Sequence, residues 1–328
     1  MAQPILITGG AGYIGSHTAR HLTANGAKCV IADNLVYGHR EAVPIGAVFE
    51  LVDLADRAAL KALFGKYNFA AVVHFAAFAY VGESVTDPQK YYANNLIGTL
   101  NLLEAMLGAG VKKIVFSSTC ATYGEPQYTP IDEAHPQHPI NPYGVTKLAI
   151  ERVFADYEKA YGLRHISLRY FNAAGAAADS AIGESHTPET HLIPLVLKAI
   201  KGETPPIKIF GTDYDTPDGT CVRDYIHVED LAVAHQLALE KLGSFSAFSG
   251  CLNLATGVGT SVREVIAAAE AVTGKRCPVE YAPRRAGDPA KLYAAADKAR
   301  EILGWQPRYT EIKEIIRTAW NWEQNRKF

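Results

Sequence analysis

No stretch of this 328-residue chain is apolar for long enough to cross a membrane as a helix. Charge is also modest. Charged residues make up 20% of the chain and the formal net charge is -2, so nothing points to a nucleic-acid or anionic-membrane partner. Cysteine is scarce and odd in number: Cys29, Cys120, Cys221, Cys251 and Cys277, with no Cys-x-x-Cys. That argues against a disulfide framework or a zinc site and for a reducing cytoplasm. The opening MAQPILITGG has neither a charged n-region nor a long apolar h-region, so no export signal is expected. Repeats, low-complexity tracts and flexible linkers are missing too.

What is present is an ordinary globular composition, 48% hydrophobic, in a chain long enough for two lobes. Apolar runs at 4–8, 27–33, 70–77, 113–118 and 165–171 read as strands. Helical patterns near 13–25, 56–66, 90–109 and 143–161 separate them. Such alternation predicts an α/β fold with a doubly wound parallel sheet. After residue 175 the texture changes: 175–190 and 202–220 read as long loops. The expected division is a dinucleotide-binding unit over 1–175, with 223–242 returning to it, and a smaller α+β substrate lobe over 176–328.

TGGAGYIG (8–15) follows the first strand and opens a helix. Gly9, Gly12 and Gly15 permit a tight turn and let backbone approach a pyrophosphate at the helix N-terminus. A glycine pattern alone is weak evidence. The supporting feature is Asp33, which ends the second strand and suits the adenosine ribose hydroxyls. Asn34 follows it rather than Arg, which favours NAD over NADP.

YGVTK (143–147) places Tyr143 and Lys147 one helical turn apart, after the helix start Asn141-Pro142. With 17 Tyr in the chain, a Tyr-x-x-x-Lys arises by chance about once. A second one does occur, Tyr309 to Lys313. Only the first follows a strand that ends in hydroxyls, Ser117, Ser118 and Thr119, at the carboxyl edge where parallel sheets bind ligands. The second reads as a solvated helix edge.

The glycine loop, SSTCATYG (117–124) and YGVTK resemble the extended short-chain dehydrogenase/reductase family. HFAAFAYVGESV (74–85), YYANNLIGT (91–99), RYFNAAG (169–175), DGTCVRDYIHVEDLA (218–232) and APRRAGDP (282–289) resemble its nucleotide-sugar 4-epimerase branch. The match covers essentially the whole chain. It implies reversible inversion at C4 of a UDP-hexose, UDP-galactose to UDP-glucose, through a 4-keto sugar, with NAD tightly bound and regenerated each turnover. Tyr143 would be the acid/base, Lys147 its activator, and Thr119 a hydrogen-bond partner of the reacting oxygen. Tyr13, Ile14, Asp53, Leu54, Phe75, Ala76, Asn94 and Phe171 would join Asp33 and Asn34 around NAD.

The same resemblance places Arg223 and Arg285 on the UDP pyrophosphate, where guanidinium groups pair bidentately with phosphate. Asn172, Leu192, Phe210, Tyr225 and Asp288 would surround the uridine and phosphates, and His191 stands at a substrate-contacting position. His186 and His191 lie five apart in a loop with no further ligand cluster apparent, so no metal is expected. Leu292 falls where the family sets a residue beside the sugar C2 substituent, and Ala79 where some relatives carry Lys. Neighbouring activities on the same fold are C4 inversion of UDP-N-acetylhexosamines or UDP-pentoses, 4,6-dehydration, and NAD binding without catalysis. Dehydration needs acidic residues after the strand-end threonine; Cys120-Ala121 stand there. A homodimer is implied, pairing the helices near 90–109 and 143–161 across a two-fold axis.

Overall fold

The structure is a computed structural model that describes residues 3–244, 248–285 and 287–328. In chain order the strands are β1 Ile5–Thr8, β2 Cys29–Asp33, β3 Val48–Leu51, β4 Ala71–His74, β5 Lys113–Ser117, β6 Arg164–Tyr170, β7 Asn172–Ala174, β8 Ile207–Phe210, β9 Val222–His227, β10 Gly250–Leu254, β11 Gly259–Ser261, β12 Val279–Ala282 and β13 Lys291–Leu292. The helices are α1 Tyr13–Ala24, α2 Arg57–Lys66, α3 Val81–Thr86, α4 Pro88–Tyr91, α5 Gly98–Gly108, α6 Pro142–Tyr161, α7 Leu192–Lys201, α8 Val228–Gly243, α9 Val262–Thr273, α10 Asp297–Leu303 and α11 Ile312–Gln324.

Seven parallel strands form the main sheet in the order β10-β6-β5-β4-β1-β2-β3. Its central strands are buried at every position of β2 and β4, because a parallel sheet is covered on both faces. Alternate residues feed two cores. Leu6, Val30, Val72 and Ile114 meet Leu60, Leu102, Met106 and Phe154 of α2, α5 and α6. Ile7, Ile31, Val73, Val115 and Ile166 meet Leu22, Leu231, Ala234 and Ala238 of α1 and α8. The doubly wound α/β fold expected from the sequence is therefore present. A second region holds β7, β9, β11 and β13 in one small sheet and β8 paired with β12, packed on α7, α9 and α11 through Val196, Ile207, Val265 and Ile316.

Two expectations need correction. The stretch 202–220 is not all loop: IKIF forms β8, which runs parallel to β12. The helix expected near 90–109 is interrupted by a π-helical turn over Tyr92–Ile97. There the Asn95 side chain accepts from the Phe78 N–H at 2.8 Å and donates to its carbonyl at 3.0 Å. A buried amide tied to a neighbouring loop explains the extra residue in the turn. It also anchors the segment that leaves the carboxyl end of β4.

Candidate active site

The carboxyl ends of β1, β2, β4, β5 and β6 open into a cleft of about 870 Å³. The glycine loop floors one end. Gly9 has φ +69°, and a Cβ on it would lie 2.5 Å from the Ala76 nitrogen; one on Gly15 would lie 2.2 Å from the Gly9 carbonyl oxygen. Only glycine fits. Helix α1 then starts at Gly12 with no side-chain cap and no acid in its first turn, so its N-terminal N–H groups face the cleft free to meet an anion. Asp33 is buried, and its carboxylate accepts from the N–H groups of Ala11 (3.0 Å) and Leu35 (2.8 Å). Burial raises its carboxyl pKa while these bonds pull it down. The acid thus fastens the loop to β2 and still has lone pairs for a ligand.

Tyr143, Lys147 and Thr119 meet beside this floor. Asn141 caps α6 by accepting from the Gly144 N–H at 2.8 Å, and Pro142 occupies the first turn. Lys147, 2% exposed, donates to the Ser117 carbonyl at 2.8 Å. Its Nζ lies 4.6 Å from the Phe116 ring centre and 5.8 Å from that of Tyr143. Burial pulls the ammonium pKa down to about 7, against the attraction of Glu151. Burial likewise pushes the Tyr143 phenol up to about 12, against a downward pull from the Thr119 hydroxyl. In the protein alone, desolvation dominates both groups.

Behind this trio lies a buried network absent from the sequence reading. Glu151 accepts from Ser118 Oγ (2.6 Å) and from Arg169 Nε and Nη2 (2.9 and 2.7 Å). Arg169 also donates to Tyr123 Oη at 2.9 Å, and Tyr123 donates to Asn253 Oδ1 at 2.6 Å. His74 bridges Thr8 and Thr99 at 2.6 and 2.9 Å. Two cues were available: Glu151 sits one turn beyond Lys147, and Arg169 is a charged residue near the carboxyl end of an expected strand, where it is buried.

The far end of the cleft carries the arginines. Arg223 on β9 pairs with Asp288, and the Arg285 guanidinium lies 4.4 Å from the Phe210 ring centre. Arg285 makes no ion pair with a described residue. Ala286, in the same motif, lies outside the described residues. Leu292 on β13 runs beside Arg223 and faces the cleft.

Most of the residues singled out from the sequence line this one cleft: Gly9, Gly12, Tyr13, Ile14, Gly15, Asp33, Asn34, Leu54, Phe75, Ala76, Asn94, Phe171, Asn172 and His191 among them. Four do not. Asp53 accepts from Asn34 Nδ2 at 2.9 Å, Phe210 stands behind Arg285, Leu192 opens α7, and Tyr225 is buried in the core of the smaller region. Tyr309 precedes α11 and stacks 3.8 Å from His227, so the second Tyr-x-x-x-Lys does not share a helix, and only Lys313 is exposed. The histidines also bring a correction. Glu184 and Glu189 converge on His186 and His191, a ligand cluster the sequence did not reveal.

The family model described as NAD dependent epimerase/dehydratase matches residues 5–248. This chain belongs to that family. A member from Rhizobium leguminosarum bv. trifolii, named UDP-glucose 4-epimerase, is 53% identical over 98% of this chain and 97% of its own. Family structures agree. The UDP-glucose 4-epimerase of Brucella ovis, solved with NAD, has 51% identity and a TM-score of 0.95, covering 98% of both chains. That of Bifidobacterium longum, solved with NAD+ and UDP, has 38% identity and a TM-score of 0.93, again over 98% of both. Among the described residues no helix is long and apolar enough to cross a membrane.

Proposed function

We propose that this protein inverts C4 of a UDP-hexose, interconverting UDP-galactose and UDP-glucose, with NAD held throughout. The observation that carries this is one cleft with Thr119, Tyr143 and Lys147 at its inner end and Arg223 and Arg285 at its outer end. The relatives named for that activity match along nearly the whole chain. The residues present fit the dinucleotide: the loop excludes any Cβ at Gly9 and Gly15, α1 offers uncapped N–H groups, and Asp33 faces the same floor.

When bound, NAD supplies the acceptor and donor of the C4 hydride. Tyr143 Oη takes the proton of the sugar 4-hydroxyl and returns it. Thr119 holds the reacting oxygen by hydrogen bonding, and Lys147 favours the phenolate by its charge. Arg223 turns from Asp288 to the diphosphate, joined by Arg285. A dehydration would need acidic residues after Thr119, where Cys120, its thiol held protonated by burial, and Ala121 stand instead.

The division at residue 175, with 223–242 returning to the first unit, is supported by the packing of α8 on α1. A homodimer through α5 and α6 is supported by exposed Ile97 in the π-helical turn leading into α5 and exposed Tyr161 at the end of α6 and is tested by sedimentation at micromolar concentration. Five free thiols suit the reducing cytoplasm. The deciding experiment incubates the purified protein with UDP-galactose, without added cofactor, and assays UDP-glucose and the nucleotide released on denaturation. Product and released NAD are expected; strict dependence on added NAD overturns retention of the cofactor.

A further inference from the structure

In the segment between β7 and α7, Glu184, His186, Glu189 and His191 bring one ligating atom each to within 4.8 Å of the others. We propose that they form a divalent metal site, fitted to Zn2+, that fastens this segment to the wall of the cleft. Three observations lead there.

The first is geometry. His191 Nδ1 lies 2.7 Å from Glu184 Oε1. His186 Nδ1 lies 3.2 Å from Glu184 Oε1 and 3.8 Å from Glu189 Oε2. A tetrahedral ion with bonds of about 2.1 Å spaces its ligands about 3.4 Å apart, inside this range.

The second is a pair of stranded atoms. His186 Nδ1 and Glu189 Oε2 are buried without a well-formed hydrogen bond. The other Glu189 oxygen is meanwhile pinned by the N–H groups of Thr190 and His191 at 2.8 and 2.9 Å. One oxygen orients the carboxylate and the other is left for a ligand.

The third is charge and donor type. The Glu184 and Glu189 side chains are 7% and 4% exposed, and two buried carboxylates side by side require a positive partner. A dication neutralises both while the imidazoles ligate in their neutral form. Two nitrogens and two oxygens without sulfur suit Zn2+ better than Ca2+ or Mg2+, which take oxygen sets. Four protein ligands close the coordination sphere, the mark of a structural rather than hydrolytic site. The surroundings hold the segment from outside: Trp322 Nε1 donates to the Glu184 carbonyl at 2.9 Å, and Tyr80 Oη to that of Pro188 at 3.0 Å.

The test uses untagged full-length protein stripped with a chelator. Added Co2+ is expected to develop the intense visible bands of tetrahedral cobalt and saturate at one equivalent. Zn2+ should then displace it and raise Tm. His186→Ala and Glu189→Gln should weaken Co2+ binding by about 100-fold or more. Stripped wild-type protein that takes up neither ion stoichiometrically overturns the site, and two protonated imidazoles then balance the carboxylates. So does a folded variant, checked by circular dichroism, that keeps the wild-type cobalt spectrum. Because the wild-type titration decides by itself, a variant that fails to fold leaves the answer intact.

Discussion

Tyr143 and Tyr309 share a spacing to lysine and nothing else. Tyr143 faces the cleft above a buried lysine, whereas Tyr309 stacks on His227 and donates to Glu229 Oε2 at 3.1 Å. Tyr143→Phe should therefore lower kcat by roughly 10²-fold or more, the scale of general acid–base catalysis. Tyr309→Phe should leave kcat within a factor of about two and cost about 1 kcal/mol of stability, the worth of one hydrogen bond. Equal losses of turnover in both variants would mean the chemistry is not at Tyr143. Leu292 offers a subtler test. A pocket difference of a methylene or so is worth roughly 1–3 kcal/mol, so UDP-galactose should be preferred over UDP-N-acetylgalactosamine without excluding it. Leu292→Tyr should widen that preference and Leu292→Ser narrow it. A ratio of kcat/KM values that moves by less than about twofold among the three proteins removes Leu292 as the gate.

Helix α6 presents Tyr143, Lys147 and Glu151 at successive turns, so one element sets both the reacting groups and their support. Glu151 and Arg169 are each about 5% exposed and joined by two hydrogen bonds. Glu151→Ala leaves a buried guanidinium unpaired and should cost roughly 3–5 kcal/mol in urea unfolding. Glu151→Gln keeps the shape but removes the charge that holds Lys147 up. Its ammonium should then titrate below about 7, moving the corresponding limb of the kcat profile to lower pH; an unmoved limb would mean Glu151 acts only structurally.

How much of this was legible follows from what each element shows the sequence. β2 and β4 were readable because both faces are covered and every residue before the last, Asp33 in β2 and His74 in β4, is apolar or small. β3 was not, since at the sheet edge its two terminal residues are exposed. β8 hid because its four residues alternate amid Gly, Pro and Asp. The glycine loop, Asp33 and the Tyr143–Lys147 pair are local patterns and could be read directly. The Glu151–Arg169–Tyr123–Asn253 chain draws on α6, β6, the segment after β5, and β10, and only folding brings these together.

At the scale of the whole molecule, four histidines are enclosed where burial outweighs any counter-charge. Burial lowers His17 and His235 to about 4 and His74 and His227 to about 3. Unfolded histidine binds its proton near 6.5, so between about pH 4 and 6.5 the unfolded chain holds protons the folded chain refuses. The contribution of these four to stability is thus full above pH 6.5 and falls as pH drops, by up to about 1.4 kcal/mol per pH unit for each residue. Tm measured from pH 7 to 4.5 should decline steeply. His235, ringed by Phe75 and Tyr170 at 4.6 and 6.1 Å, is the cleanest probe: His235→Phe should flatten the decline, and an unchanged slope would place the acid sensitivity elsewhere.

The main sheet is not made from consecutive chain. Its edge strand β10 and the α8 helix that covers α1 are synthesised only after β7, β8 and β9 of the smaller region. While the chain emerges from a ribosome, β6 must wait with one edge unpaired and α1 with its apolar face bare. A nascent chain halted at residue 175 would carry the glycine loop, Asp33, Tyr143 and Lys147, and yet lack the cover that lets them pack. The order of translation therefore ties cofactor capture to synthesis of the first strands of the substrate side, and a truncated product is marked for chaperones or proteases by the surface it cannot yet hide.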